Sequence, residues 1–170
     1  MKTILHMAVS ADGYIAKLDG NSDWVSPIDV QLFEQRVKEA GCLIVGRKTF
    51  GQYTGDVYPI AGVINIVLTL GVAKSSDKDV ITANYPEQAL EIAKEKGFSK
   101  VMLVGGGKAN GSFLRSGLID EIFLSVHPIV LNNGVKLFEG YSEKVDMTLL
   151  DSTEIGEGLV QLHYNVMNKA

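Results

Sequence analysis

Val101-Met102-Leu103-Val104-Gly105-Gly106-Gly107-Lys108-Ala109 is the stretch that decides the fold. Four apolar residues run without a break into three glycines, and a helix-compatible segment, Lys108 to Ser116, follows. An uninterrupted apolar run is the mark of a strand buried on both faces, the habit of a parallel sheet. Glycine lacks a Cβ, so the turn can take unusual backbone angles and a ligand can lie against bare main chain. Free N–H groups at the start of the next helix favour an anion. The stretch therefore reads as a phosphate cradle, or more blandly as a glycine-rich β–α connection. The dinucleotide fingerprint would need glycine at Asn110, and the P-loop would need Ser or Thr at Ala109. Any nucleotide site is thus of another kind.

A second junction of the same type lies upstream. Cys42-Leu43-Ile44-Val45 reads as a buried strand and runs into Gly46-Arg47-Lys48-Thr49-Phe50. Cations at a helix start oppose the helix dipole unless an anion arrives, and the planar Arg fork suits phosphate. Two such junctions in one sheet can grip the two ends of a dinucleotide.

Around these junctions the pattern alternates. Thr3 to Val9 is the expected first strand, followed by turn chemistry at Ser10-Ala11-Asp12-Gly13 and an apolar Tyr14-Ile15-Ala16. Trp24, the only tryptophan, interrupts a polar loop, where it pins the loop or lines a cleft. Ser26-Pro27-Ile28-Asp29 opens a helix in a capping-box-like pattern, with Val30, Phe33, Val37 and Ala40 on one face and Gly41 as the stop. Val63 to Thr69 is strongly β, Gly71 to Lys78 a loop, Asp79 to Thr82 a short strand and Pro86 to Lys96 an amphipathic helix. The expected fold is α/β: a mostly parallel twisted sheet with helices on both faces. The last third changes character. A long strand is expected over Leu118 to Val126. Met147 to Ser152 and Val160 to Met167, joined through Gly156-Glu157-Gly158, read as an antiparallel hairpin at the sheet edge.

Composition sets limits. The chain has 170 residues, enough for a single domain spanning 1–170. Its net charge of −4, with no basic run, argues against nucleic acid as a partner. The lone Cys42 allows no intramolecular disulfide and fits a reducing cytoplasm. The N-terminus does not read as a signal peptide, and no apolar run is long enough to cross a bilayer. His6, His127 and His163 fall in separate strands, so neither a metal site nor a hydrolase triad is expected; His6 reads as a satisfied core histidine and His163 as exposed. Two acids are candidates for chemistry. Asp29, near Trp24 and Phe33, is either a cap or a carboxylate for the amidine-like edge of a nitrogen heterocycle. Asp12 is either a turn residue or a site acid.

Ala8, Asp12-Gly13-Tyr14-Ile15-Ala16, Trp24, Pro27, Asp29, Phe33, Gly46 to Phe50, Asn65 to Thr69 and Gly105-Gly106-Gly107 together resemble the dihydrofolate reductases in order and spacing. The Ser-x-Asp-Gly-x-Ile-Ala opening and the Pro128 to Phe138 segment are more similar to the reductase domain of riboflavin biosynthesis and its stand-alone bacterial relatives. The resemblance implies a dihydrofolate-reductase-like fold that binds NADPH and transfers hydride to a small pyrimidine- or pterin-like substrate, as 5-amino-6-(5-phosphoribosylamino)uracil reductases and dihydrofolate reductases do. By position it implies that Gly46, Arg47, Lys48 and Thr49 meet cofactor phosphates, with Arg47 and Thr69 near the 2′-phosphate. Leu68 and Val104 would join them at the strand ends. Gly105, Gly106, Gly107, Lys108 and Ala109 would hold the pyrophosphate, and Ala8, Ile15 and Ala16 would flank the nicotinamide. Asp29 would bind substrate and share catalysis with Asp12, and Trp24 and Phe33 would line the substrate cleft. Tyr58-Pro59 occupies the region where a folate-tail arginine is expected, and the deaminase half of the bifunctional riboflavin enzymes is absent. A homodimer is also expected. The rival reading is a cofactor-binding module without turnover.

Overall fold

The computed structural model describes residues 1–71 and 75–167. The expected loop at Gly71 to Lys78 lies partly outside them. Ten strands and four helices follow in the order β1 (Lys2–Ser10), β2 (Tyr14–Ala16), α1 (Pro27–Ala40), β3 (Cys42–Gly46), α2 (Arg47–Gln52), β4 (Ile64–Leu68), β5 (Val80–Ala83), α3 (Pro86–Glu95), β6 (Lys100–Leu103), α4 (Gly107–Arg115), β7 (Glu121–His127), β8 (Val135–Lys136), β9 (Met147–Gly156) and β10 (Leu159–Val166).

Eight strands form one sheet in the order β5-β4-β3-β6-β1-β7-β10-β9. The first six are mutually parallel. The β7/β10 and β10/β9 pairs are antiparallel, which puts the expected hairpin at the edge. β2 and β8 make a separate two-stranded sheet.

Period-two alternation sorts the strand side chains onto two cores. Leu5, Ile44, Ile66 and Leu103 pack with Ala89 and Ala93 of α3 and Phe113 of α4. Leu43, Val45, Val67 and Met102 pack with Val37 and Ala40 of α1 and Phe50 of α2. Strands buried on both faces are why the central runs are apolar without interruption.

The start of α1 corrects one detail. Ser26 is the N-cap and accepts from the Ile28 N–H, and Gly41 closes the helix in the left-handed region (φ 70°). Asp29, however, turns its carboxylate away from the cap, toward the sheet. Val30 is exposed rather than on the core face, so the buried stripe reduces to Asp29, Val37 and Ala40. Among the described residues no helix is long and apolar enough to cross a membrane.

Candidate functional site

The chain leaves β1, builds outward through β3, β4 and β5, and then returns to insert β6 between β3 and β1. Reversals of this kind open a crevice beyond the carboxyl ends of the strands. Here the crevice is a cleft of about 2100 Å³. A drug-sized ligand needs ~300–1,000 Å³, so the space suits two molecules side by side.

The two glycine junctions lie against each other in this cleft. The Gly46 N–H donates to the Gly105 carbonyl at 2.7 Å, and the Val104 N–H donates to Ile44 at 3.0 Å. The three glycines have separate reasons. Gly105 sits at φ +95°, where a side chain is strained, and faces Met7. A Cβ on Gly106 would lie 2.8 Å from Thr49 Oγ1, so the bare backbone of one junction opens onto the hydroxyl of the other. A Cβ on Gly107 would lie 2.3 Å from the Lys136 carbonyl, which makes that glycine a packing requirement for the 135–139 segment.

Gly46, Arg47, Lys48, Thr49, Leu68, Thr69, Val104, Gly106, Gly107, Lys108 and Ala109 all line the cleft, as do Ala8, Ile15, Ala16, Asp29 and Phe33. Three expected residues do not. Gly105 contributes its carbonyl to the β3 junction instead of a surface to the cleft. Asp12 accepts from Ser10 Oγ (2.7 Å) and from the Leu131 and Asn132 N–H groups (3.1 and 2.8 Å), so it ties the loop after β7 to the end of β1. The Ser10 hydroxyl, aided by these backbone donors, holds its carboxyl below the ordinary value. Asp12 is thus a loop anchor that stands apart from the cleft lining. Trp24 packs edge-on against His127, with ring centroids 5.1 Å apart, and pins its loop there instead of lining the substrate cleft.

At the other wing, Asp29 belongs to a closed hydrogen-bonded ring. Arg36 Nη1 donates to His6 Nδ1 (3.0 Å), and the His6 Nε2–H donates to Asp29 Oδ1 (3.0 Å). Arg36 Nη2 donates to Gln161 Oε1 (2.6 Å), Gln161 Nε2 to Ser125 Oγ (3.0 Å), and Ser125 Oγ to the same Asp29 oxygen. A guanidinium has only donors, so facing Arg36 makes His6 Nδ1 the acceptor and leaves the Nε2–H as the donor to Asp29. Both arms of the ring therefore run from one cation to one carboxylate. Burial pushes the Asp29 carboxyl up, but the hydrogen bond and charge attraction of His6, and then the hydrogen bond from Ser125, outweigh it and hold the group below its usual value. Asp29 is ionised, and its Oδ2 accepts no hydrogen bond among the described residues. The guanidinium also lies 3.9 Å over the Phe123 ring, which stacks on His163 at 3.9 Å. His163 is therefore half-buried and bonded to Glu121 rather than exposed.

His6, Arg36, Ser125 and Gln161 carry no sequence signal that joins them to Asp29. Ser125 and Gln161 are 96 and 125 residues from Asp29 and Arg36, the groups they touch. Only the period-two alternation of β1, β7 and β10 places them on one face, beneath α1.

The geometry matches known proteins over its whole length. The RibD C-terminal domain model covers residues 1–56 and 64–161. The uncharacterized protein YwjB of Bacillus subtilis is 30% identical over 96% of this chain and 97% of its own. A putative dihydrofolate reductase of Caenorhabditis elegans is 26% identical over 91% and 81%. A crystal structure of a putative riboflavin biosynthesis protein from Shewanella sp. PV-4 superposes with a TM-score of 0.78 at 27% identity, covering 98% of this chain and 99% of that one. RibD of Acinetobacter baumannii gives a TM-score of 0.79 at 20% identity, covering 98% of this chain and 58% of that one. Sheet order, cleft and matches converge: the chain belongs to the RibD C-terminal domain family, a reductase-like family with the dihydrofolate reductase fold.

Proposed function

We propose that the protein is an NADPH-dependent reductase of a small pyrimidine- or pterin-like substrate. The single observation that carries this is the cleft's pairing of two apposed glycine junctions at one wing with an ionised, buried carboxylate at the other. The junction residues fit a coenzyme that carries phosphate at two places, a pyrophosphate and a 2′-phosphate. Gly106 has no side chain to block the approach, and Arg47, Lys48 and Lys108 supply positive charge. Arg47 and Thr69 would hold the 2′-phosphate, and the start of α4 the pyrophosphate. Ala8, Ile15 and Ala16 offer small or apolar surface for the nicotinamide. When bound, NADPH supplies the hydride. Asp29 Oδ2 accepts a hydrogen bond from a ring N–H of the substrate and stabilises the positive charge that develops as a C=N nitrogen takes up a proton from solvent.

The test is Arg47→Ala. Loss of a charge-assisted contact to the 2′-phosphate should weaken NADPH about tenfold or more and leave NADH nearly unchanged. Equal losses for the two coenzymes would contradict the assignment. Coenzyme binding with no oxidation across dihydrofolate, pterins and aminopyrimidines would favour a binding module without turnover.

We also propose that two copies pair through β9. It is the outermost strand, nearly every residue on it is exposed, and Met147, Leu149 and Leu150 stand 42%, 52% and 51% accessible. An open edge that carries apolar side chains on a second copy of itself would extend the sheet and bury them. Sedimentation velocity would detect a dimer that Leu149→Asp dissociates; a native monomer at high concentration would refute the pairing.

A further inference from the structure

The cleft's charges are segregated, and this limits the substrate more narrowly than its ring does. At the coenzyme wing stand Arg47, Lys48 and Lys108, with Glu139 the one acid. The other wing, between α1 and the 53–61 segment, is lined among the described residues by Asp23, Asp29, Glu34 and Asp56 against a single cation, Lys38. That ammonium is already held by Glu34 at 3.1 Å. Asp23 is held from outside the lining by Lys17 at 2.8 Å. Asp56 is exposed and has no cation within salt-bridge distance among the described residues.

Position along α1 sharpens this. Glu34 lies five residues beyond Asp29, a rise of about 7.5 Å. Val30, Glu34 and Lys38, four residues apart, share one stripe of α1 about 100–180° around the helix from Asp29 and form a lip of the cleft, so a substituent that passes over this lip meets the Glu34 carboxylate before it reaches Lys38. Val30 and Val57, each 42% accessible, give that exit path apolar walls. A phosphate or carboxylate tail would leave water for a wall of acids and methyl groups with no free donor cation among the described residues, which is unfavourable.

We propose that the substrate is a nitrogen heterocycle whose substituent is uncharged or cationic, and that this wing rejects heterocycles carrying a phosphate or carboxylate tail. The proposal rests on the reductase reading only for the word substrate; as a statement about what the wing binds it stands alone. The experiment is calorimetric titration of the protein, with and without NADP⁺, with two matched pairs: 6-hydroxymethylpterin against 6-carboxypterin, and a ribosylaminopyrimidine against its 5′-phosphate. The uncharged member of at least one pair should bind, and should bind at least about tenfold more tightly than its anionic partner at low salt. The gap should narrow toward about 1 M salt, where the screening length falls to ~3 Å. Glu34→Lys combined with Asp56→Lys should reverse the preference. Both positions are exposed, and Asp56→Lys alone, expected to shrink the gap, serves if the double variant fails to fold.

An anionic member that binds the native protein as tightly as its partner, no binding by either pair, or an unmoved ratio in a folded charge-reversal variant would each overturn the proposal. NADP⁺ binding, measured in the same preparation, decides the coenzyme separately. Its absence would sink the reductase reading and leave the ligand preference to be judged on its own.

Discussion

Asp29→Asn isolates what the charge on the buried carboxylate contributes. The amide keeps the shape and one acceptor oxygen, so His6 and Ser125 can still donate to it. A hydrogen bond to a charged acceptor is worth about 1.5–3 kcal/mol and a neutral one about 0.5–1.5, so each of the two bonds loses about 1 kcal/mol. The expected loss is about 2 kcal/mol, or about 4–8 °C in Tm for a domain of this size. Urea unfolding at a series of pH values is the assay. The sign follows from the direction of the shift. The folded carboxyl titrates below its ordinary value, so its contribution is complete above the unfolded value of ~3.9 and fades as pH falls through the lower, folded value. The native protein should therefore exceed the variant by a constant margin from neutral pH down to the unfolded value, and the margin should close below it. A variant as stable as the native protein at pH 7, or a margin unchanged into strong acid, would refute the ring as the reason Asp29 is ionised.

Four further outcomes follow from packing and burial. Gly111→Ala would set a methyl 2.0 Å from the Glu139 carbonyl oxygen, a backbone atom, and should cost about 3 kcal/mol or more in chemical denaturation; Gly106→Ala meets only the Thr49 hydroxyl, which can turn, and should lower coenzyme affinity with little change in stability. Cys42 is fully buried and burial pushes its thiol up to about 12, so a thiol reagent at about pH 8 should leave the native protein unlabelled and label it fully in urea. Because Trp24 lies on His127 and outside the cleft, Trp24→Leu should lower Tm while changing coenzyme affinity less than about twofold, well under 1 kcal/mol; a large affinity loss would return Trp24 to the site.

What the sequence made legible, and what it hid, divides along sequence separation. Both glycine junctions could be read because the signal is local: an apolar run, a glycine and a helix start occupy nine consecutive residues. The ends of α1 were legible for the same reason, from Ser26, Pro27 and Gly41. Asp29 was found as a candidate, but its surroundings were not, because His6, Ser125 and Gln161 come from three other strands. Asp12 was ambiguous because turn acids and site acids share a local pattern; its bonds to the Leu131 and Asn132 amides, 119 and 120 residues away, could not be read locally. Trp24 was ambiguous likewise, since an aromatic in a polar loop does not say which neighbour it will find. The separate roles of Gly105, Gly106 and Gly107 became visible only with Met7, Thr49 and the 135–139 segment laid against them in turn.

The ring around Asp29 also bears on the protein's birth. Arg36 is synthesised 125 residues before Gln161, the residue that ties it to Ser125, and Gln161 lies in a strand that must add beside one already docked. Such distant pairings are the slow ones. A nascent chain that has exposed every element before β10 holds the aspartate with both of its donors but with the arm from Arg36 to Ser125 open, so the ring closes only when β10 docks.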